Sequence, residues 1–373
     1  MMRLQRRFER LVEPADIRIG GDRPWDARVH DDRLYQRILA TGTLGLGEAY
    51  MDGWWDCDAI DQLIDRSLRS GIGDRFGSPL DIARVVRSRL VNLQRGERAW
   101  EVGQRHYDLG NDLYEAMLDP RMIYSCGYWA NATDLATAQV DKLELIACKL
   151  GLEPGMRVLD IGCGWGGAAQ YFAEQHGCEV VGITVSVEQA ALARERCAGL
   201  PVEIRTQDYR DLNETFDRVF SVGMFEHVGH RNYRTYFEVV RRCLADRDAL
   251  FLLHTIGRNN TSTSIDPWVS TYIFPNSMLP SAAQITRAAE GSMQLEDWHT
   301  FGPDYDRTLQ AWHANVNAAW DDLGKQYDDR FRRMWNYYLL VSAGAFRARS
   351  NQLWQVVFSR DGIDESYRPP GIR

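Results

Sequence analysis

The sequence predicts an α/β protein, a doubly wound and mostly parallel sheet preceded by a smaller, mainly helical N-terminal domain. Three observations carry this expectation. From residue 157 onward, short apolar runs alternate with helical periods. The first run, Val158-Leu159-Asp160-Ile161, enters Gly162-Cys163-Gly164-Trp165-Gly166-Gly167, which reads as a buried strand, a glycine-rich turn and a helix start. Before residue 80 the pattern is helical and punctuated by glycine instead.

The elements follow in order. Residues 1–12 alternate Arg3, Arg6, Arg7 and Arg10 with Leu4, Phe8, Leu11 and Val12, a basic amphipathic helix. It suits an anionic membrane surface and equally a solvated first helix. Residues 13–70 form a helical unit with Trp54 and Trp55 as packing anchors, and 70–79 reads as a linker. A second basic amphipathic helix is expected within 81–98, where Arg84, Arg87 and Arg89 interrupt apolar positions. Domain boundaries are placed at 1–80, 81–100 and 101–373. Strands are expected at 157–161, 179–183, 202–206, 218–222, 249–254, 293–298 and 354–358, with helices at 133–150, 167–175, 187–197, 233–244 and 309–327. Residues 257–290 interrupt the rhythm with Pro267, Pro275 and Pro280 among Trp268, Tyr272 and Phe274, an insertion suited to an active-site wall.

Composition narrows the classes. The chain has 373 residues, 45% hydrophobic and 26% charged, as expected of a globular protein. A net charge of −8 argues against nucleic-acid binding. No apolar run has the length of a membrane span, and the absence of an apolar leader predicts a cytoplasmic location. The seven cysteines are scattered without C-x-x-C spacing, which indicates neither a disulfide framework nor a metal site.

The order D-x-G-x-G-x-G at Asp160, Gly162, Gly164 and Gly166 resembles motif I of class I S-adenosylmethionine-dependent methyltransferases. In doubly wound folds the ligand lies at the carboxyl ends of the strands. Asp160 is then expected to orient the loop or reach the charged amino-acid end of the cofactor. A generic fold offers the ribose an acid ~20 residues past the glycines. Here Thr184, Ser186 and Gln189 follow the second strand, so neutral partners replace it. After the third strand, Asp208 can accept from the adenine amine and Tyr209 can stack, with Gln207 beside them. Tyr124 and Ser125 complete the candidate cofactor set. Each alone is equally a cap or a turn residue.

Glu226 follows the fourth strand and His254 ends the fifth, a pair suited to proton transfer. Alone, His254 is more often a buried structural histidine and Cys126 more often a core thiol. Seven segments make the resemblance specific: Gly-Leu-Gly-Glu-Ala-Tyr-Met-Asp-Gly-Trp-Trp, His-Tyr-Asp-Leu-Gly-Asn-Asp-Leu, Tyr-Ser-Cys-Gly-Tyr-Trp, Asp-Ile-Gly-Cys-Gly-Trp-Gly-Gly, Met-Phe-Glu-His-Val-Gly, Leu-Leu-His-Thr-Ile-Gly and Trp-Gln-Val-Val-Phe-Ser-Arg. Together they resemble the bacterial cyclopropane-fatty-acyl-phospholipid synthases.

That resemblance implies a seven-stranded sheet of class I methyltransferase type. It also implies S-adenosylmethionine as co-substrate and methylene transfer to the cis double bond of phospholipid acyl chains, through a carbocation deprotonated by bound bicarbonate. The bicarbonate ligands would be Cys126, Glu226, His254, the main chain of Ile256, and Tyr305. Phe225, Tyr272, Phe274 and Tyr305 would supply aromatic faces to the cation. A homodimer at the inner face of the membrane is implied as well. Two departures stand out: Ser342 occupies a slot where family members carry a discussed cysteine, and Ala245-Asp246-Arg247-Asp248 lacks the usual Pro-Gly turn. The alternatives are an amine methyltransferase on the same scaffold and an inactive binding protein.

Overall fold

The computed structural model describes residues 2–72 and 110–368, which divide into two compact units. The first contains 2–72, 263–275 and 305–351; the second contains 110–262, 276–304 and 352–368. The units are therefore not consecutive blocks. Part of the expected insertion, and the stretch 305–351, pack with the N-terminal helices. The second basic helix expected at 81–98 lies outside the described residues.

In the first unit, helices Arg33–Thr41, Thr43–Met51 and Ile60–Arg69 accompany a minimal pairing of β1 (Arg28–Val29) with β2 (Trp55–Asp56). Their main partner is Asp329–Arg347, a helix that the sequence reading did not assign. It buries Trp335, Tyr337, Tyr338, Leu339 and Phe346. The Arg333 guanidinium lies over the Tyr50 ring and donates to Trp55 O (2.9 Å) and Asp56 (2.6 Å). Trp268 packs so closely on Gly47 that a Cβ there would fall 2.4 Å from its ring. Much of the chain's tryptophan is thus core: Trp55, Trp268, Trp312 and Trp335 are fully buried. In the helix Met2–Val12, Phe8 turns inward against Tyr35 (ring centroids 5.2 Å apart), while Arg6, Arg7 and Arg10 are exposed.

The second unit holds the sheet. Its strands are β3 (Arg157–Ile161), β4 (Glu179–Thr184), β5 (Val202–Thr206), β6 (Arg218–Val222), β7 (Leu250–Arg258), β8 (Gln294–Thr300) and β9 (Asn351–Ser359). The order is β5-β4-β3-β6-β7-β9-β8, with parallel pairing from β5 through β7 and antiparallel pairing of β8 with β9. This is the expected seven-stranded, mostly parallel, class I methyltransferase sheet. Strands β3, β6 and β7 are almost wholly buried because both faces are covered. β7 continues to Arg258, past the expected end at His254. The helix expected at 309–327 is instead Pro303–Ala318 followed by Trp320–Leu323, and Ala282–Ala289 is an additional helix with a Ser281/Gln284 capping box.

Candidate active site

The chain winds from β3 outward through β4 to β5, then returns to β6 on the other side of β3. That reversal opens a crevice at the carboxyl end of β3, where the glycine turn lies. The N–H groups of Gly162 and Cys163 both donate to Ile183 O (2.9 and 3.0 Å), which fixes the turn against β4. Gly162 has φ +92°, and a Cβ would meet Met224 Cβ at 2.7 Å. Gly166 serves differently. It stands off the cavity wall, N-caps Gly167–His176, and lets that helix approach Ala193 to 3.0 Å of where its Cβ would be.

One cavity in this crevice is lined by Tyr124, Ser125, Asp160, Gly162, Gly164, Thr184, Ser186, Gln189, Gln207, Asp208 and Tyr209. All cofactor candidates except Gly166 therefore meet. After β4, Thr184 Oγ1 donates to Gln189 Oε1 (3.0 Å) and accepts from the Ser186 N–H (3.2 Å), while Ser186 Oγ accepts from the Gln189 N–H (3.2 Å). The Gln189 carbonyl is thereby engaged, leaving its NH2 group as the donor available to a ligand. After β5, Asp208 accepts from the Arg210 N–H (3.0 Å) and Nε (2.9 Å). Burial works to raise the Asp208 pKa, but the Arg210 hydrogen bonds outweigh it and hold the group below the usual carboxylate value.

Beneath the cavity lies a group that sequence reasoning missed. Lys142 is 1% exposed, lines the cavity, and donates from Nζ to Ser125 Oγ at 2.8 Å. Its signal was a lysine on the inward side of helix Leu135–Leu150, three residues after the buried Gln139. Asp160 is nearly as buried. Burial pushes its pKa up to about 8, against the pull of Lys142.

The second cluster sits at the ends of β6 and β7. His254 pairs with Val222, and Gly223 donates its N–H to His254 O at 3.0 Å. Glu226 follows on a short 3-10 turn, flanked by the cavity-lining Met224 and His227. Its Oε1 accepts from the Ile256 N–H at 2.7 Å, so that main-chain donor holds the acid itself. Among the described residues, Oε2 of Glu226 and Nε2 of His254 are buried with no hydrogen-bond partner. On its other side, His254 Nδ1 meets Gln355 Nε2 at 3.3 Å. Burial pushes Glu226 up to about 7, and burial with help from Lys142 and Lys149 lowers the His254 pKa well below its ordinary value. Cys126 is fully buried, its thiol 3.1 Å from Gly127 O. Tyr305 belongs to the first unit, packed on Phe346 (4.5 Å) and Trp312 (5.9 Å). Of the expected aromatic wall, Phe225 is instead core, stacked on Tyr233 at 4.2 Å, and Tyr272 and Phe274 belong to the first unit.

Comparison with known proteins decides the family. The mycolic acid cyclopropane synthetase family matches residues 94–356. The chain belongs to that family. Among curated relatives, the cyclopropane-fatty-acyl-phospholipid synthase of Escherichia coli K12 is 54% identical over 359 residues, spanning 96% of this chain and 94% of its own length. Among solved structures of cyclopropane synthases, MmaA2 from Mycobacterium tuberculosis superposes with TM-score 0.66 at 29% identity, covering 70% of this chain and 98% of that one. CmaA1 complexed with SAH and CTAB gives 0.65 at 30% identity, with the same coverage. This member of the synthetase family is thus an enzyme of the S-adenosylmethionine-dependent methyltransferase class. Because Gln189 offers the cleft a neutral donor, Gln189→Leu is expected to weaken S-adenosylhomocysteine binding by about 3- to 10-fold, measured calorimetrically. Unchanged affinity would remove it from the ribose site.

Proposed function

We propose that this enzyme adds the methylene derived from the S-adenosylmethionine methyl group to the cis double bond of unsaturated phospholipid acyl chains, forming a cyclopropane ring. The observation that carries the reading is the pair of buried, unpartnered atoms, Glu226 Oε2 and His254 Nε2, at adjoining strand ends beside the cofactor cavity. The name of the near full-length Escherichia coli relative points the same way.

The chain's residues fit both small molecules that the reaction calls for. The glycine turn, Gln189 and Asp208 offer a main-chain cradle, a neutral donor and an acceptor to S-adenosylmethionine. When bound, that co-substrate supplies an electrophilic methyl group, and its uptake by an alkene leaves a carbocation that closes to a ring on losing a proton. The two orphaned atoms suit a small polar guest that both donates and accepts, as bicarbonate does. Bicarbonate there would supply the base for that proton. Ile256 fixes the Glu226 carboxyl in place, and Gln355 orients the His254 ring. Burial excludes water that would otherwise quench a cation. Cys126, in the same unit as Glu226 and His254, is proposed as a further contact to the guest, and a homodimer as the working assembly.

A phospholipid substrate requires contact with a bilayer. No helix among the described residues is long and apolar enough to cross one. The exposed Arg6, Arg7 and Arg10 of the first helix are proposed as the contact with anionic headgroups, from the cytoplasmic side. Incubation with S-adenosylmethionine and vesicles of unsaturated phospholipid is expected to yield acyl chains that gain one CH2 and lose their alkene, read by lipid mass spectrometry and NMR. Bicarbonate-free buffer should slow that conversion and added bicarbonate restore it. Methylation of an added amine without a lipid product overturns the proposal.

A further inference from the structure

The segment Ile123–Tyr128 is held along one helix by three successive contacts. Gln139 Nε2 donates to Ser125 O at 2.8 Å, Lys142 Nζ donates to Ser125 Oγ at 2.8 Å, and Ala138 O accepts from the Tyr128 N–H at 2.8 Å. Gln139 and Lys142 are both essentially without solvent exposure. Just upstream, Asp119 accepts from the N–H groups of Arg121 (3.0 Å) and Ile123 (2.9 Å), so the approach to the segment is fixed as well. Main chain and hydroxyl of Ser125 are thus gripped separately. A buried lysine is costly, and packing alone is better served by leucine or methionine. Lys142 instead spends its amine on one hydroxyl at the wall of the cofactor cavity.

Hydrogen-bond chemistry then fixes what that hydroxyl can do. An ammonium has donors and no lone pair, so Ser125 Oγ must accept from Lys142. The Ser125 O–H is left to donate, and Ser125 is a lining residue of the cavity. A donor backed by a cation selects an anionic acceptor. Burial lowers the pKa of the amine to about 8, and Asp119, Cys126 and Asp160 act against that fall.

We propose that Lys142 is a positioning residue that aims the Ser125 hydroxyl at the carboxylate of the amino-acid end of S-adenosylmethionine. Asp160, on the same cavity wall, is left to the ammonium end of that group. The same grip sets the main chain from which Cys126 projects, so one helix aligns the cofactor tail and the thiol.

The test compares two ligands. S-adenosylhomocysteine carries the carboxylate, and 5′-methylthioadenosine keeps the nucleoside and sulfur but lacks the amino-acid end. By calorimetry, Lys142→Met should weaken S-adenosylhomocysteine binding by about 10- to 100-fold, the cost of truncating a charge-assisted hydrogen bond, and leave 5′-methylthioadenosine affinity unchanged. Ser125→Ala should show the same selectivity, and the double variant should lose no more than the worse single one. Equal losses for both ligands would mean that Lys142 only supports the fold. No loss for either, or additive losses in the double variant, would separate Lys142 from Ser125 and overturn the proposal. Retained 5′-methylthioadenosine binding shows that the variant is folded.

Discussion

Glu226→Gln is expected to cut turnover by about a hundredfold to ten-thousandfold, the range for loss of a proton-handling group, and to raise the melting temperature at pH 8. The second effect follows from the first unit of charge that the fold must bury. Burial raises the Glu226 pKa from 4.5 to about 7, so the folded protein holds this proton more tightly than the unfolded chain does. Stability contributed by that preference is fully present below pH 4.5 and is lost as pH rises through 7. Glutamine keeps the oxygen that accepts from the Ile256 N–H and removes the titration. Its advantage should reach about 3 kcal/mol at pH 8 and vanish toward pH 4.5. Melting curves across that pH range check the sign. A variant less stable than the parent at pH 8 would show that the carboxylate is stabilised there. S-adenosylhomocysteine affinity should stay near parental, because the cofactor cavity is built from other residues.

Gly257→Ala is expected to damage the same cluster from behind. A Cβ on Gly257 would lie 1.9 Å from the Trp354 ring. That ring cannot simply swing away: it is 6% exposed and packed on Trp298 at 5.2 Å. Overpacking of this kind costs about 1–3 kcal/mol, and relief requires β9 to move against β7. Gln355, the next residue, would then lose its grip on His254 Nδ1. Turnover should fall further than cofactor affinity, since the cofactor strands β3 to β5 lie on the other side of β6. A parental melting temperature together with parental turnover would show that the tryptophan has room to yield.

The sheet was legible because a strand buried on both faces writes itself as an apolar run, and the glycine turn marks the first one. That the cofactor candidates would line one cavity was legible because strand ends in such a sheet share one crevice. Lys142 was not, since a charged residue on a helix reads as solvent-facing until the partner of its amine is known. Gln355 was hidden for a similar reason: it lies inside a strand whose apolar neighbours drew the assignment. The helix Asp329–Arg347 carried a usable signal, with Asp328 as cap and apolar residues at 331, 334, 335, 338 and 339, but its arginines and aromatics mask the stripe. The composition of the first unit could not be read locally at all. Nothing near residue 50 says that its partner lies near residue 335.

That last feature reaches into how the protein is made. Tyr50, Trp55 and Asp56 find Arg333 and Tyr337 only across some 280 intervening positions. On the ribosome, the first helices emerge long before the helix that covers them exists. Their apolar faces must wait, exposed, through synthesis of nearly the whole sheet. The contacts that cover them can form only after the helix Asp329–Arg347 has emerged, although these helices are made first. Chains released early, before residue 351, would leave those faces bare and sticky, a demand on chaperones rather than on the finished enzyme.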